Sequence, residues 1–279
     1  VRGHAAVGYD SNVGLLSHGT SGRRGDAVFQ LGAGASVMAI SRPRLRLQLD
    51  YDLDQTLHPR IQAYDLRAHR IAGTVSVSLL DGLWASLYGG VEHYSLGSHQ
   101  YLLDPFVEPL LSYEWPDVGV SQIFYRHGEP DYLSRPFKSV RSGQTNATGV
   151  VQTLYLGNPS RRLSLGYTWE DEDPRGRAGD DYQRSSHNVL LGLQVPVGCQ
   201  TTLDLAYGYR RDDYHEPNSV SVTGAARTDD AHTYGIGVAR PLTPGFTLRL
   251  AYEGTANGSN IGFFDYGRHL VVLGIEAKY

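Results

Sequence analysis

The sequence predicts an all-β protein, an antiparallel transmembrane β-barrel of about fourteen strands with both termini periplasmic. Three observations predict it. Apolar and polar residues alternate without a break in several segments of eight to eleven residues. Turn signals sort into short and long classes that take turns along the chain. The composition is unlike that of a packed globule, with 41% hydrophobic residues, 33 Gly and 19 Tyr against one Met and one Cys.

Taken in order, the first clear strand is RLRLQLDYDLD at 44–54. Leu45, Leu47, Leu49, Tyr51 and Leu53 share one parity; Arg44, Arg46, Gln48, Asp50, Asp52 and Asp54 share the other. Successive strand side chains point to opposite faces, so the segment has an oily face and a charged one. RLSLGYTWE at 162–170, HNVLLGLQV at 187–195, TLDLAYGYR at 202–210 and FTLRLAYE at 246–253 repeat the pattern. The stretches 59–79, 118–126 and 143–156 alternate poorly, which leaves twelve to sixteen strands open.

Short turns carry Pro, Gly, Asn or Asp at 41–44, 80–83, 116–119, 157–161, 196–200 and 241–245. Longer polar segments lie near 11–25, 55–60, 95–100, 127–142, 171–182, 211–230 and 255–262. Six short turns and seven long loops connect fourteen strands and put both ends on the short-turn side. Bacterial outer-membrane barrels have an even strand number, short periplasmic turns and longer outer loops. A soluble sandwich would need a second sheet over its oily face and would not sort its turns. A propeller or solenoid would repeat sequence as well as spacing.

Net charge is −4, which argues against a nucleic-acid binder. Cys199 is alone, so the chain forms no internal disulfide and offers no cysteine-based metal site. No run approaches the 18 apolar residues of a membrane-spanning helix. The chain begins VRGHAAVGYD without a signal pattern. Residues 1–279 are therefore expected to be a single outer-membrane barrel domain whose start was processed, or the C-terminal part of a longer protein.

The last stretch, SNIGFFDYGRHLVVLGIEAKY at 259–279, ends in an aromatic, with Ala277 two residues and Gly274 five residues before Tyr279. It resembles the C-terminal strand signal read by the barrel assembly machinery. AVGYDSNVGLL at 6–16, paired with this final hairpin, resembles barrels that follow tetratricopeptide-type helical repeats in one polypeptide. Surface lipoprotein assembly modifiers are one such group, and exopolysaccharide export porins are another. The resemblance implies the membrane portion of an export or secretion protein. Its implied partners are outer-membrane lipid, a periplasmic helical-repeat domain, and polysaccharide or lipoprotein cargo. A passive porin for small solutes is the alternative.

Function in such a barrel falls on the wet lumen. Parity and distance from the turns place Arg44, Arg46, Arg162, Arg249 and Glu276 near the short-turn end. They place Asp50, Asp52, Glu170, Glu253 and Arg268 near the loop end, and Gln48, Glu108, Gln152 and Asp204 between. This is a basic inner mouth and an acidic outer one, a pattern that would set selectivity. Equally, such charges could pair across strands and fix the barrel's shape. The acidic loop EDEDPRGRAGDDYQ at 170–183 does not follow the spacing of a calcium loop and reads as a solvated surface. His93, His99, His127, His187, His215 and His232 fall near outer strand ends, but none sits in a nucleophile motif. No metal, cofactor or enzymatic activity is expected.

Overall fold

The structure is a computed structural model that describes residues 1–17, 20, 24–135, 137–175 and 181–279. Its strands are β1 (Arg2–Asp10), β2 (Asp26–Arg42), β3 (Leu45–Leu57), β4 (Leu66–Leu80) and β5 (Leu83–Leu96). Next come β6 (His99–Trp115), β7 (Gly119–Gly128), β8 (Asp131–Tyr132), β9 (Gly143–Tyr155) and β10 (Arg162–Pro174). The last are β11 (Arg184–Gly198), β12 (Thr201–Pro217), β13 (Ala226–Thr243), β14 (Phe246–Ser259) and β15 (Tyr266–Lys278). A short helix, α1 (Phe137–Arg141), lies in the loop between β8 and β9. No helix among the described residues is long and apolar enough to cross a membrane.

All ladders are antiparallel, and the sheet closes on itself. The order runs from β5 round to β7, β6 and the short β8, and β5 also pairs with β6, which closes the ring. β1 pairs with β15, so first and last strands are neighbours. There are fourteen staves: β8 only extends β7, since Gly128 faces Phe106 and Tyr132 faces Leu102 in one continuous register. Pro130 interrupts the two pieces, having no backbone N–H to give the ladder.

The six short turns fall where the Pro, Gly, Asn and Asp clusters place them. Strand lengths differ from expectation. The segment 95–100 is a tight connection at Gly97–Ser98 and not a long loop. Residues 211–217 and 226–230 continue β12 and β13, leaving a loop of 218–225. β10 runs to Pro174, so the acidic stretch 170–174 is strand, while residues 176–180 lie outside the described part. These strands rise beyond the apolar band, where both faces are polar and the alternation that marks a strand disappears.

One face of the sheet is apolar. Exposed large side chains run from Val7 and Leu31 through Ile71 and Ile123 to Leu250 and Leu273; Ile71 is 65% accessible. In water a continuous belt of this kind would drive association. In lipid it is the natural exterior of a closed barrel, which leaves no open sheet edge. Near the loop end this face carries repeated diagonal pairs. Tyr51 bonds His69 at 3.0 Å, Tyr167 bonds His187 at 2.8 Å, and Tyr207–His232 and Tyr252–His269 each measure 2.9 Å. Tyr113, Trp115, Phe246 and Tyr279 mark the short-turn end. Together they form the two aromatic bands of a membrane barrel.

The opposite face holds the buried polar residues, including Asp10, Asp52, Ser186, Asp212 and Asp229. A sheet one layer thick can bury side chains only on its concave side, so this is the inner wall.

Candidate functional site

The inner wall is built in tiers. Near the short turns, a chain of contacts crosses β10 to β15. Arg162 donates to Gln194 at 3.0 Å, and Gln194 donates to Asp204 at 2.7 Å. Arg249 meets Asp204 at 3.2 Å and Glu276 at 3.7 Å. Four residues singled out from sequence thus join one network through Gln194, which was missed. It was missed because only register shows that it stands opposite Arg162 and Asp204. Arg46 lies over the Trp84 ring at 4.2 Å, on the same face.

Above this network comes a band of mostly small side chains, Gly166, Gly192, Ala206, Gly208 and Gly235, with Leu190 projecting between Gly166 and Gly208. Two hollows of about 450 and 490 Å³ lie on it, both touching Ala206, Gly235 and Glu253. At Gly192 even a methyl group would meet nothing nearer than the Ser164 Cβ at 3.8 Å, so the wall is recessed there.

The loop end is a lattice of arginine, carboxylate and aromatic side chains. Arg184 bridges Glu172 at 2.9 Å and Asp212 at 3.2 Å, and donates to the Tyr214 hydroxyl at 3.3 Å. Arg210 reaches Glu170 at 3.0 Å and Asp212 at 2.6 Å. Arg227 pairs with Asp229 and stacks on Phe264 at 3.4 Å. Arg268 meets Asp10 at 2.6 Å. On the other side of the barrel Asp52 is held between Arg2 and Arg70. Arg126 lies over Phe106 at 4.0 Å and faces Glu92 and Asp104.

An acidic outer mouth is therefore not what the structure shows: Asp10, Asp52, Glu170, Glu172, Asp212 and Asp229 each carry an arginine partner. Arg2, Arg70, Arg184 and Arg227 escaped the sequence reading because their segments do not alternate clearly. Asp50 instead accepts hydrogen bonds from Ser36 at 2.5 Å and Gln48 at 2.8 Å. Glu108 shares the inner face with Phe106, and Glu253 is exposed toward the small-residue band.

Two positions depart from expectation. Arg44 sits in the turn between β2 and β3, its carbonyl accepting the Ser78 N–H at 3.0 Å, and is not on the strand wall. Gln152 lies opposite Leu165 and Ser121 and shares its parity with the exposed Val150 and Leu154, so it faces outward. There it completes a polar chain: Trp115 Nε1 donates to Ser121 Oγ at 2.9 Å, and Ser121 Oγ donates to Gln152 at 2.5 Å. In a Cys199→Ser background, cysteine at Gln152 is expected to react at least about tenfold more slowly with a charged maleimide than cysteine at Gln48, since thiol reaction depends on aqueous access. Equal rates in proteoliposomes would place Gln152 on the water-filled side.

Gly274 lies on the inner face opposite Ala6, and Ala277 stands between Gly3 and Phe246. Tyr279 is exposed, and its backbone is tied to Val1 by hydrogen bonds of 3.0 and 3.1 Å. His187 and His232 bond tyrosines on the outer face, and His127 meets Asn146 at 3.0 Å; none joins a Ser and an Asp. Among the described residues, no cluster of His, Cys, Asp or Glu is arranged to hold a metal ion.

Known structures share this architecture at about a tenth of sequence identity. An anion-selective porin from Comamonas acidovorans superposes with a TM-score of 0.55 at 10% identity, over 100% of this chain and 98% of the porin. A FadL homologue from Pseudomonas aeruginosa gives 0.52 at 10% identity, over 100% and 90%. OprB from Pseudomonas putida gives 0.53 at 9% identity, over 100% and 93%. At this identity the likeness is one of fold, and the chain is an outer-membrane β-barrel with a porin-like fold. No curated protein sequence matches the chain. A family model does, that of the surface lipoprotein assembly modifier, over residues 106–279, from the middle of β6 to the last residue. With well over half its length covered, including eight of its fourteen staves whole and part of β6, the chain belongs to the surface lipoprotein assembly modifier family.

Proposed function

We propose that this barrel is the outer-membrane conduit of an export protein, and that its cargo is a lipid-anchored surface protein. The family match over β6 to β15 carries the reading. The wall supports it: charges are locked into pairs and leave a recessed band of small residues between two tiers, a surface past which a bulky polypeptide can slide. On this reading the chain is the membrane portion of a longer protein, and a periplasmic domain, such as helical repeats, delivers cargo to the short-turn mouth. Gly274, Ala277 and Tyr279 serve as the strand signal for the barrel assembly machinery. The barrel contributes a path and performs no bond chemistry.

The test labels cells with tritiated palmitate and measures how much labelled protein proteinase K removes from intact cells. Deleting the protein is expected to abolish that fraction while total labelled protein stays constant. An unchanged fraction, together with steady ion conductance of the purified barrel, would replace this reading with a passive porin for small solutes. Within the mouth, Arg249→Gln is expected to lower the surface fraction without preventing assembly, because it removes the arginine partner of Asp204 and Glu276 at once while Gln194 still holds Asp204.

A further inference from the structure

The staves are not equally joined. β6 carries two prolines in its interior, Pro105 and Pro109. The other strand prolines among the described residues, Pro174, Pro196, Pro217 and Pro241, stand at a strand's last residue or two before it. Three of these coincide with register shifts, where a missing donor is tolerated. Pro105 and Pro109 have no such shelter.

Their direction matters. Glu129 donates its N–H to the Pro105 carbonyl at 3.0 Å, and Leu133 donates to the Tyr101 carbonyl at 2.9 Å. Odd-numbered residues of β6 therefore turn their backbone groups toward β7. Both prolines are odd-numbered, so both missing N–H groups fall on the β6–β7 edge. Pairing on the β5 side continues through Pro105 and Pro109, whereas the β6–β7 ladder stops after Val107 and resumes at Leu110. In a bilayer core no water replaces absent bonds, so this seam is the weak join of the wall.

Its two sides differ in a useful way. Inside, Arg126 of β7 lies over Phe106 of β6 and faces Glu92 and Asp104 at 4.0 and 3.8 Å, long contacts for ion pairs. Outside, the wall beside the seam hollows into an apolar groove of about 700 Å³ lined by Leu111, Ile123, Val150, Leu165 and Tyr167. We propose that the β6–β7 seam is a lateral exit through which the acyl chains of a lipid-anchored cargo pass from the lumen to the bilayer. The proposal rests on the export reading above. In the lumen, apolar surface is confined to a patch around Leu190, Leu270 and Val272 between the charged tiers, whereas this seam opens directly onto an apolar groove on the lipid side.

The experiment uses the intact protein with Cys199→Ser. One variant joins the seam by Leu110→Cys with Phe124→Cys, which face each other where the ladder resumes beside the interruption. A second, Ser112→Cys with Gln122→Cys, serves if the first fails to assemble. A control joins β12 to β13 on the lipid-facing side, away from the small-residue band, by Leu203→Cys with Val238→Cys. Opposed residues of an antiparallel pair stand about 4.5–5.5 Å apart, within disulfide reach. Oxidised seam variants are expected to lose surface-exposed palmitate-labelled protein and to regain it on reduction, with the control unaffected. Amide exchange of the wild-type barrel in lipid is expected to be at least about tenfold faster at Ile123, Tyr125 and His127 than at β12 amides facing β13, because local opening governs exchange. Normal display with the seam locked, when deletion of the protein abolishes display, would overturn the exit and leave the export reading standing. Display unaffected by deletion would overturn both.

Discussion

Replacing Arg184 with Met is expected to destabilise the barrel by about 3 kcal/mol, the lower end for stripping one partner from a buried ion pair. The Arg184 side chain is 20% exposed and ties three staves together, meeting Glu172 on β10, and Asp212 and Tyr214 on β12. Methionine keeps the length and removes the charge. Glu172, whose side chain is 9% exposed, is left with a 3.7 Å contact to Arg141. Asp212 is left sharing Arg210 with Glu170. Arg211 gives the contrast. It faces outward, it and Asp213 are each more than 40% exposed, and their 3.1 Å pair is one that water and salt screen. Arg211→Met is expected to leave the unfolding midpoint essentially unchanged. Urea unfolding of the two variants in the same lipid, followed by loss of the compact band on unheated gels, separates them. Equal midpoints would show that the inner lattice contributes no more than a surface pair.

Gly8→Ala is expected to prevent closure. A Cβ at Gly8 would stand 1.9 Å from the Val271 carbonyl oxygen and 2.8 Å from a Val272 methyl. The first contact is backbone, so β15 must retreat and the nine-residue β1–β15 ladder opens. Overpacking in a side-chain core costs about 1–3 kcal/mol, and a clash with backbone belongs at or above the top of that range. Gly192→Ala is the control, since its nearest neighbour is 3.8 Å away and the methyl enters open lumen; its effect is expected to stay within about 0.5 kcal/mol. Heat-modifiable mobility reads both. A compact, unheated Gly8→Ala band would mean the two strands adjust freely.

The fold was legible because its turns announce themselves chemically and its lipid face needs apolar residues at every second position. Where the strands leave lipid that requirement lapses, and Arg211, Asp213 and Asp229, though on strands, read as loop. Parity could be followed on β3, β10, β12 and β14, where Gln48, Glu170, Asp204 and Arg249 lie on the face opposite the exposed apolar belt. On β9 it could not, because Val150 and Val151 are both apolar though they face opposite ways, and Gln152 was placed on the wrong side. The pairing was illegible for a different reason. Arg2 meets Asp52 across Gly34, and Arg210 meets Glu170 with β11 between their strands. Such partners depend on the register of three strands at once, and on a glycine or serine between them small enough to allow contact.

The adjacency of β1 and β15 has a kinetic meaning. The residue facing Arg2 is Lys278, so the first stave made has one flank without a neighbour until nearly the whole sequence has been delivered. No ladder separates its partners further along the chain, and closing so distant a contact is entropically slow. Through that interval the growing sheet keeps two bare edges, each a template for pairing with another chain. Aggregation during synthesis is thus the hazard written into this order of staves, and shielding of those two edges until the last strand arrives decides whether the ring forms.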